Sequence, residues 1–332
     1  MSAVLRALTR PSLRALVPLV AVLMLGCLFH GHGAFFQWQT HRALLREVSV
    51  HGILACAMTV VIITSGIDLS VGSVLGLCAV AFAWLSMHAA WSSGTALLAV
   101  LALGTAAGLV TGWLVAVARI QAFIVSLSMM VFARGLAKQL SGGQKISNYF
   151  QGADGRFVNV PEPALFSAID SKVLGGNLSV VTLVFLVCAL ITWLVLERLR
   201  LGRYLYAVGG NLEAARLSGV PVRATVLFAY ALSGLFAAIA GICQAAQEAQ
   251  GDPETGAGYE LDAIAMVVLG GTSLAGGRGG VGLTLIGALS LGYLQKILSL
   301  NAYSTEARLM LTGIILVSAV LFQRRMSRSG DP

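Results

Sequence analysis

The apolar residues of this chain come in runs, and residues 16–28, 52–64, 95–118, 178–196, 281–294 and 309–322 contain no charged side chain. A bilayer core takes roughly 17–25 mainly apolar residues per helix, and several of these runs reach that length once their flanks are included. The fold class this implies is an all-α polytopic membrane protein. Composition points the same way, with 57% hydrophobic and 11% charged residues against about 25% charged in a soluble domain. Such a chain lacks the polar surface to face water all round.

The formal charge of +8 does not indicate nucleic-acid binding. The basic residues lie beside apolar runs, where lysine and arginine set membrane topology. Cys27, Cys56, Cys78, Cys188 and Cys243 all sit in apolar stretches and form no CxxC pair, so they read as small buried hydrophobes without a metal or disulfide framework. Arg6, Arg10 and Arg14 ahead of an apolar run also fit a signal peptide, and Gly26-Cys27 hints at lipoprotein cleavage. Met24 and Leu25 fit that cleavage poorly, and a retained first span is favoured.

Apolar runs and their punctuation predict about ten spans, near residues 16–35, 48–65, 71–90, 95–118, 121–140, 178–197, 224–245, 261–277, 281–299 and 305–323. The whole chain, 1–332, reads as one transmembrane domain. With a cytoplasmic N-terminus, the inner face collects Arg6, Arg10, Arg14, Arg119, Arg198, Arg200, Arg203, Arg216, Arg223, Arg278, Arg324, Arg325 and Arg328, 13 of the 22 basic residues. Both tails then face the cytoplasm, as an even number of spans requires. Two polar connections are long: 141–177, expected outside, and 198–223, expected inside and strongly basic. Long ordered connections are usually functional. In the inner one Asn211 can cap a helix, Glu213 falls in its first turn, Ala214, Ala215, Arg216 and Leu217 continue it, and Gly219-Val220-Pro221 stops it.

Three segments resemble the ribose-type permeases of ATP-binding-cassette importers, a branch that also includes xylose, galactofuranose and autoinducer-2 permeases. They are Ser65-Gly66-Ile67-Asp68-Leu69-Ser70-Val71-Gly72-Ser73; Tyr204-Leu205-Tyr206-Ala207-Val208-Gly209-Gly210-Asn211 running on through Ala214-Ala215-Arg216-Leu217-Ser218-Gly219; and Glu260-Leu261-Asp262-Ala263-Ile264-Ala265 followed by Gly270-Gly271-Thr272-Ser273-Leu274-Ala275-Gly276-Gly277-Arg278-Gly279. Their order and spacing cover the chain from about residue 40 to 320. Ser65 departs from the glycine usual in the family. The resemblance implies a ten-helix permease of the bacterial inner membrane, working as a homodimer or with a related second permease. It implies a cytoplasmic ATP-binding subunit, an extracytoplasmic solute-binding protein and a monosaccharide or similar small polar cargo. It also allows a route lined by small apolar residues, with selection left to the binding protein. No GxxxxGK[ST] loop occurs in the sequence, so ATP is expected on the partner subunit and no cofactor on this chain.

The motifs carry more than one physical reading. Asp68 at the end of the second span reads either as a proton or solute ligand, since an ionisable group at membrane depth is costly, or as a cap in which Asp68 or Ser70 accepts backbone N–H groups where the third helix starts. The cap is favoured, within the motif Gly66, Asp68, Ser70 and Gly72. The glycines of 270–282 lack the Lys-Ser/Thr of a phosphate loop and suit tight turning between the eighth and ninth spans. Gly72/Gly76, Gly104/Gly108 and Gly108/Gly112 have the four-residue spacing that lets helices approach closely. By resemblance, Asn211, Glu213, Ala214, Ala215, Arg216, Leu217, Ser218 and Gly219 form the coupling helix that docks in the ATPase, whereas a basic inner helix can also anchor to anionic lipid. The flanking cap and glycines favour coupling.

His30, His32, His41, His51 and His88 read as scattered near span ends, and no metal or catalytic set emerges. Glu248, Asp252, Glu254 and Glu260 read as an outer cluster that meets a basic patch on the binding protein or is simply solvated. With acids at span ends and a nearly charge-free interior, an ion-coupled secondary transporter or a channel fits less well than an importer subunit.

Overall fold

A computed structural model describes residues 11–151 and 156–328. Arg6 and Arg10, which enter the topology reading, lie outside them. In lipid the backbone has no water to bond, so each apolar run must satisfy its N–H and C=O groups internally, and a helix does so. The chain is mostly helical: α1 (Pro11–Leu28), α2 (Trp38–Ile63), α3 (Val71–His88), α4 (Ser93–Ala116), α5 (Ala122–Ser141), α6 (Ala164–Asp170), α7 (Val180–Arg198), α8 (Arg200–Gly210), α9 (Leu212–Leu217), α10 (Val222–Glu248), α11 (Tyr259–Leu269), α12 (Val281–Leu300) and α13 (Thr305–Arg328). Among the described residues seven of these, α2, α3, α4, α5, α7, α10 and α12, are long and apolar enough to cross a membrane. It is a polytopic membrane protein.

The core is built from α2, α3 and α10, which are buried along most of their length, while α4, α5 and α7 turn apolar side chains such as Leu98, Phe132 and Val187 outward. Helices in lipid gain little from hydrophobicity and associate by close packing at small residues. Accordingly Gly104, Gly108 and Gly112 of α4 each face α10, where a methyl group would strike Gly234 O, Tyr230 O or Leu227 O. Cys56, Cys78, Cys188 and Cys243 are buried, whereas Cys27 is exposed, against the expectation that all five are buried.

The second helix starts ten residues before the expected span at 48, at Trp38. Thr40, Leu44 and Val48 recur at four-residue spacing and are buried, so packing on one face continues the helix through a polar stretch. The polar side has partners: Arg42 donates to Gly176 O at 2.9 Å, and Arg46 pairs with Asp170. Both partners belong to the 142–179 connection, which is ordered by α6, by two short hairpins, β2 (Tyr149–Gln151) with β3 (Phe157–Asn159) and β4 (Lys172–Val173) with β5 (Leu178–Ser179), and by the long-range pairing of β1 (Ile146–Ser147) with β6 (Gln250–Gly251).

The eighth expected span, 261–277, is corrected. The helix there, α11, has only 11 residues and ends at Leu269, with irregular backbone through residue 280. Ahead of it, residues 251–256 pass down the side of α3: Gly251 lies against Ala79, Val80 and Ala83, Thr255 O against Gly76, and Gly256 O against Gly72. They do so as successive turns, with Thr255 N donating to Asp252 O at 3.1 Å and Ala257 N to Glu254 O at 3.3 Å. Residues 251–269 are thus a broken segment in place of the expected span: turns, then a helix of about 16 Å at 1.5 Å per residue, about half of a core of about 30 Å. The glycines of the 72/76 pair, expected to pack helix on helix, accommodate this irregular chain.

Residues 249–258 carry acids that the sequence reads as part of an outer cluster. Their acids are held by the same chain: Asp252 by Lys145 at 3.0 Å and Glu254 by Lys138 at 2.6 Å. Arg134 of α5 donates to Pro253 O and to Thr255 O, the latter at 2.7 Å. These bonds supply donors to carbonyls that no helix or sheet pairs.

Candidate functional site

The three sequence segments meet at one end of the bundle, where α2 stops, α8 ends and α12 begins. α2 stops at Thr64 because Ser65 takes a left-handed φ of +62°, a conformation that costs a residue with a side chain about 1–2 kcal/mol. The Ser65 hydroxyl lies 3.0 Å from Gly209 O and 2.8 Å from Ala275 O. Its one proton serves one carbonyl at a time, so it joins α2 to either of the other two segments. Gly277 N donates to Ile63 O at 2.9 Å, and a methyl group on Gly209 would fall on that same oxygen. Tyr206 donates to Gly279 O at 2.9 Å. Burial, assisted by Glu197, pushes its phenol up to about 12, so the donor persists at neutral pH. The 276–279 glycines have positive φ, and with Gly209 they make a junction in which backbone touches backbone.

Asp68 lies beside this junction, buried. One oxygen accepts from Ser70 N at 3.0 Å and Ser70 Oγ at 2.6 Å; the other accepts from Ser233 Oγ of α10 at 2.7 Å. Ser70 is the N-cap residue of α3, yet its side chain accepts no helix N–H. The carboxylate thus fixes the residue before the helix rather than its first turn, and ties α3 to α10. Neighbouring contacts have the same effect: Tyr230 donates to Ile67 O at 3.2 Å, and a methyl group on Gly66 would stand 2.8 Å from the Tyr230 hydroxyl. Gly72 faces Gly256 O, which brings the turns ahead of α11 to the start of α3.

Beyond the junction stands α9. Asn211 caps it, accepting from Ala214 N at 2.9 Å. Glu213 sits in the first turn and Arg216 in the last, each favoured by the helix dipole. Gly219 at φ +79° ends it, and Val220 N returns to Ala215 O at 3.0 Å. Ala215 is the buried anchor, while Glu213, Ala214, Arg216 and Ser218 are exposed and Leu217 is 86% exposed. A short helix fixed at both ends, with a bare leucine at its tip, presents an apolar contact to something outside the chain.

A second polar group was not legible as a site. His51, expected near a span end, lies in the interior of α2, and it is the only residue between Val48 and Ile63 that is not buried. Its ring centroid is 4.2 Å from that of Tyr259, and its Nε2 is 3.6 Å from Asp262 Oδ2. Gln295 Nε2 of α12 approaches Asp262 Oδ1 at 3.4 Å, and Lys296 pairs with Glu47 at 2.8 Å. The interior is thus not charge-free. The available signal was a histidine inside a 17-residue apolar window, with Asp262 following a glycine pair, Gly256 and Gly258.

Comparison with known proteins places these features in a family. Residues 41–320 match the family described as branched-chain amino acid transport system / permease component. The ribose import permease protein RbsC of Escherichia coli strain K12 is 42% identical over 300 residues, covering 88% of this chain and 87% of that protein. RbsC of Bacillus subtilis strain 168 is 37% identical over 294 residues, covering 86% and 84%. The xylose transport system permease protein XylH of E. coli strain K12 is 32% identical over 342 aligned positions, covering 86% and 87%. No solved structure matches the chain. With the match running through all three converging segments, the chain belongs to this family of transport-system permease components, and its polytopic bundle is a permease rather than a catalytic subunit.

Proposed function

We propose that the chain is the membrane subunit of an ATP-driven importer for a monosaccharide, and that α9 is the element through which the ATPase acts. The observation that carries this is the junction at Ser65, Gly209 and Gly277: it connects a capped helix exposing Leu217 to the ends of α2, α11 and α12 without intervening flexible chain. A displacement of α9 is thereby felt by helices that line the broken span. The family description names branched-chain amino acids, whereas the relatives that cover most of the chain are ribose and xylose permeases, and these support a pentose-sized cargo.

The arginines of the 198–223 connection and Arg278 support a cytoplasmic placement of the junction end and of both termini. Counting α1, the broken span and α13 with the seven long helices gives ten crossings. An ATP-binding subunit would then lie against α9, a solute-binding protein against the 142–179 end, and a second permease copy or paralogue beside this one. The broken span is a feature shared with ion-coupled carriers, so the energy source is the point to test. Reconstituted with its ATPase and binding protein, the chain should take up D-ribose or D-xylose only with ATP present and the loaded binding protein outside. Uptake driven by a proton or sodium gradient without ATP would overturn the reading.

A further inference from the structure

The break in the eighth crossing places polar side chains where a lipid-facing surface cannot carry them. We propose that His51, Tyr259, Asp262 and Gln295 form a binding site inside the membrane for the hydroxyl groups of the translocated solute; this rests on the importer reading and adds a solute contact on the permease itself.

Depth is the first argument. His51 is 12 residues from the α2 terminus at Ile63, about 18 Å along the helix. Tyr259 opens α11 after the turns of residues 253–258, which have already passed Gly72. Polar groups and non-helical backbone at such depth persist where they are enclosed by protein or line water. This group is not enclosed: the side chains of His51 and Asp262 keep 20% and 17% of their accessibility, and neighbouring Leu261 is 51% exposed. The lipid-facing surfaces of α4 and α5, by contrast, present Leu98, Val131 and Phe132.

Bonding is the second argument. The 3.6 Å and 3.4 Å approaches to Asp262 exceed the 2.7–3.2 Å typical of a made hydrogen bond. Both carboxylate oxygens therefore retain acceptor capacity, unlike those of Asp68, whose contacts are 2.6–3.0 Å. The set offers a carboxylate acceptor, an amide that donates and accepts, an imidazole and a phenol. Hydroxyl groups donate and accept at once and suit that mixture, while the Tyr259 ring and Leu261 provide an apolar side for carbon-bound hydrogens. A monosaccharide fits this chemistry, and an inorganic cation would leave the ring and Leu261 without purpose.

The test uses the full complex in a Cys27→Ser background. Leu261→Cys should react with a membrane-impermeant methanethiosulfonate, and excess D-ribose or D-xylose should slow that reaction several-fold. Leu98→Cys on the lipid face should not react. Separately, Asp262→Asn should lower ATP-driven pentose uptake at least about tenfold, the loss expected for a hydrogen bond to a charged group. Membrane insertion and co-purification with the ATPase should be normal, so that the loss is not one of assembly. An unreactive Leu261→Cys, protection by sodium chloride rather than sugar, or full uptake by Asp262→Asn would each overturn the proposal. The importer reading fails by a different result, absence of ATP-driven uptake in the native complex.

Discussion

Ser65 occupies the one backbone position in the junction where side chain and conformation conflict. Its φ of +62° favours glycine, yet its hydroxyl meets Gly209 O or Ala275 O. Two substitutions separate these effects. Ser65→Gly removes the strain together with the bond, each worth about 1 kcal/mol, so thermal stability of the purified chain should change little. Ser65→Ala keeps the strain and loses the bond, and should destabilise by about 1 kcal/mol. An alanine variant as stable as glycine would show that the hydroxyl contributes nothing. Asp68 calls for a similar comparison. Asp68→Asn keeps an oxygen for Ser70 N, and hydroxyls can rotate to accept from the amide, so most uptake should remain at a cost of about 1 kcal/mol or less. Normal assembly with no uptake would instead make Asp68 a proton carrier.

At the scale of elements, α9 was readable because its signals are local: Asn211, Glu213 and Gly219 fall where cap, first turn and stop belong. The broken span was not readable, because its cause is tertiary. Glycines at 72 and 76 looked the same in sequence as those at 104 and 108, and only the fold shows that one pair meets a run of turns and the other a helix. His51 and Asp262, 211 positions apart in the numbering, carry no mutual signal either. For α9 the expectation is specific. Contacts that fill a partner's cleft depend mainly on central packed side chains, with rim charges adding less. Leu217→Asp should therefore abolish ATP-driven uptake or co-purification with the ATPase while membrane insertion stays normal, and Arg216→Ala should be milder. Full uptake by Leu217→Asp in an intact complex would make this helix a lipid anchor.

For the whole molecule, the arginine distribution and the fold are independent arguments about orientation, and they can be set against each other. The junction brings the 204–219 and 270–279 segments, with their basic residues, to the end of the bundle where α2 stops. The opposite end carries α6 and the hairpins of 142–179. If lysine and arginine set topology as they do in short loops, these ends lie on opposite sides of the membrane, the junction inside. In a Cys27→Ser background, Lys172→Cys and Glu213→Cys place thiols at exposed positions of the two ends. The four remaining native cysteines are buried and contribute little background. On intact cells, an impermeant thiol reagent should label Lys172→Cys and spare Glu213→Cys, and permeabilisation should make both react. The reverse pattern would invert the molecule and set α9 facing away from the ATP pool. Equal labelling on intact cells would mean that the two ends share a side, which an odd number of crossings between residues 172 and 213 does not permit; it would break the assignment of α7 as a span.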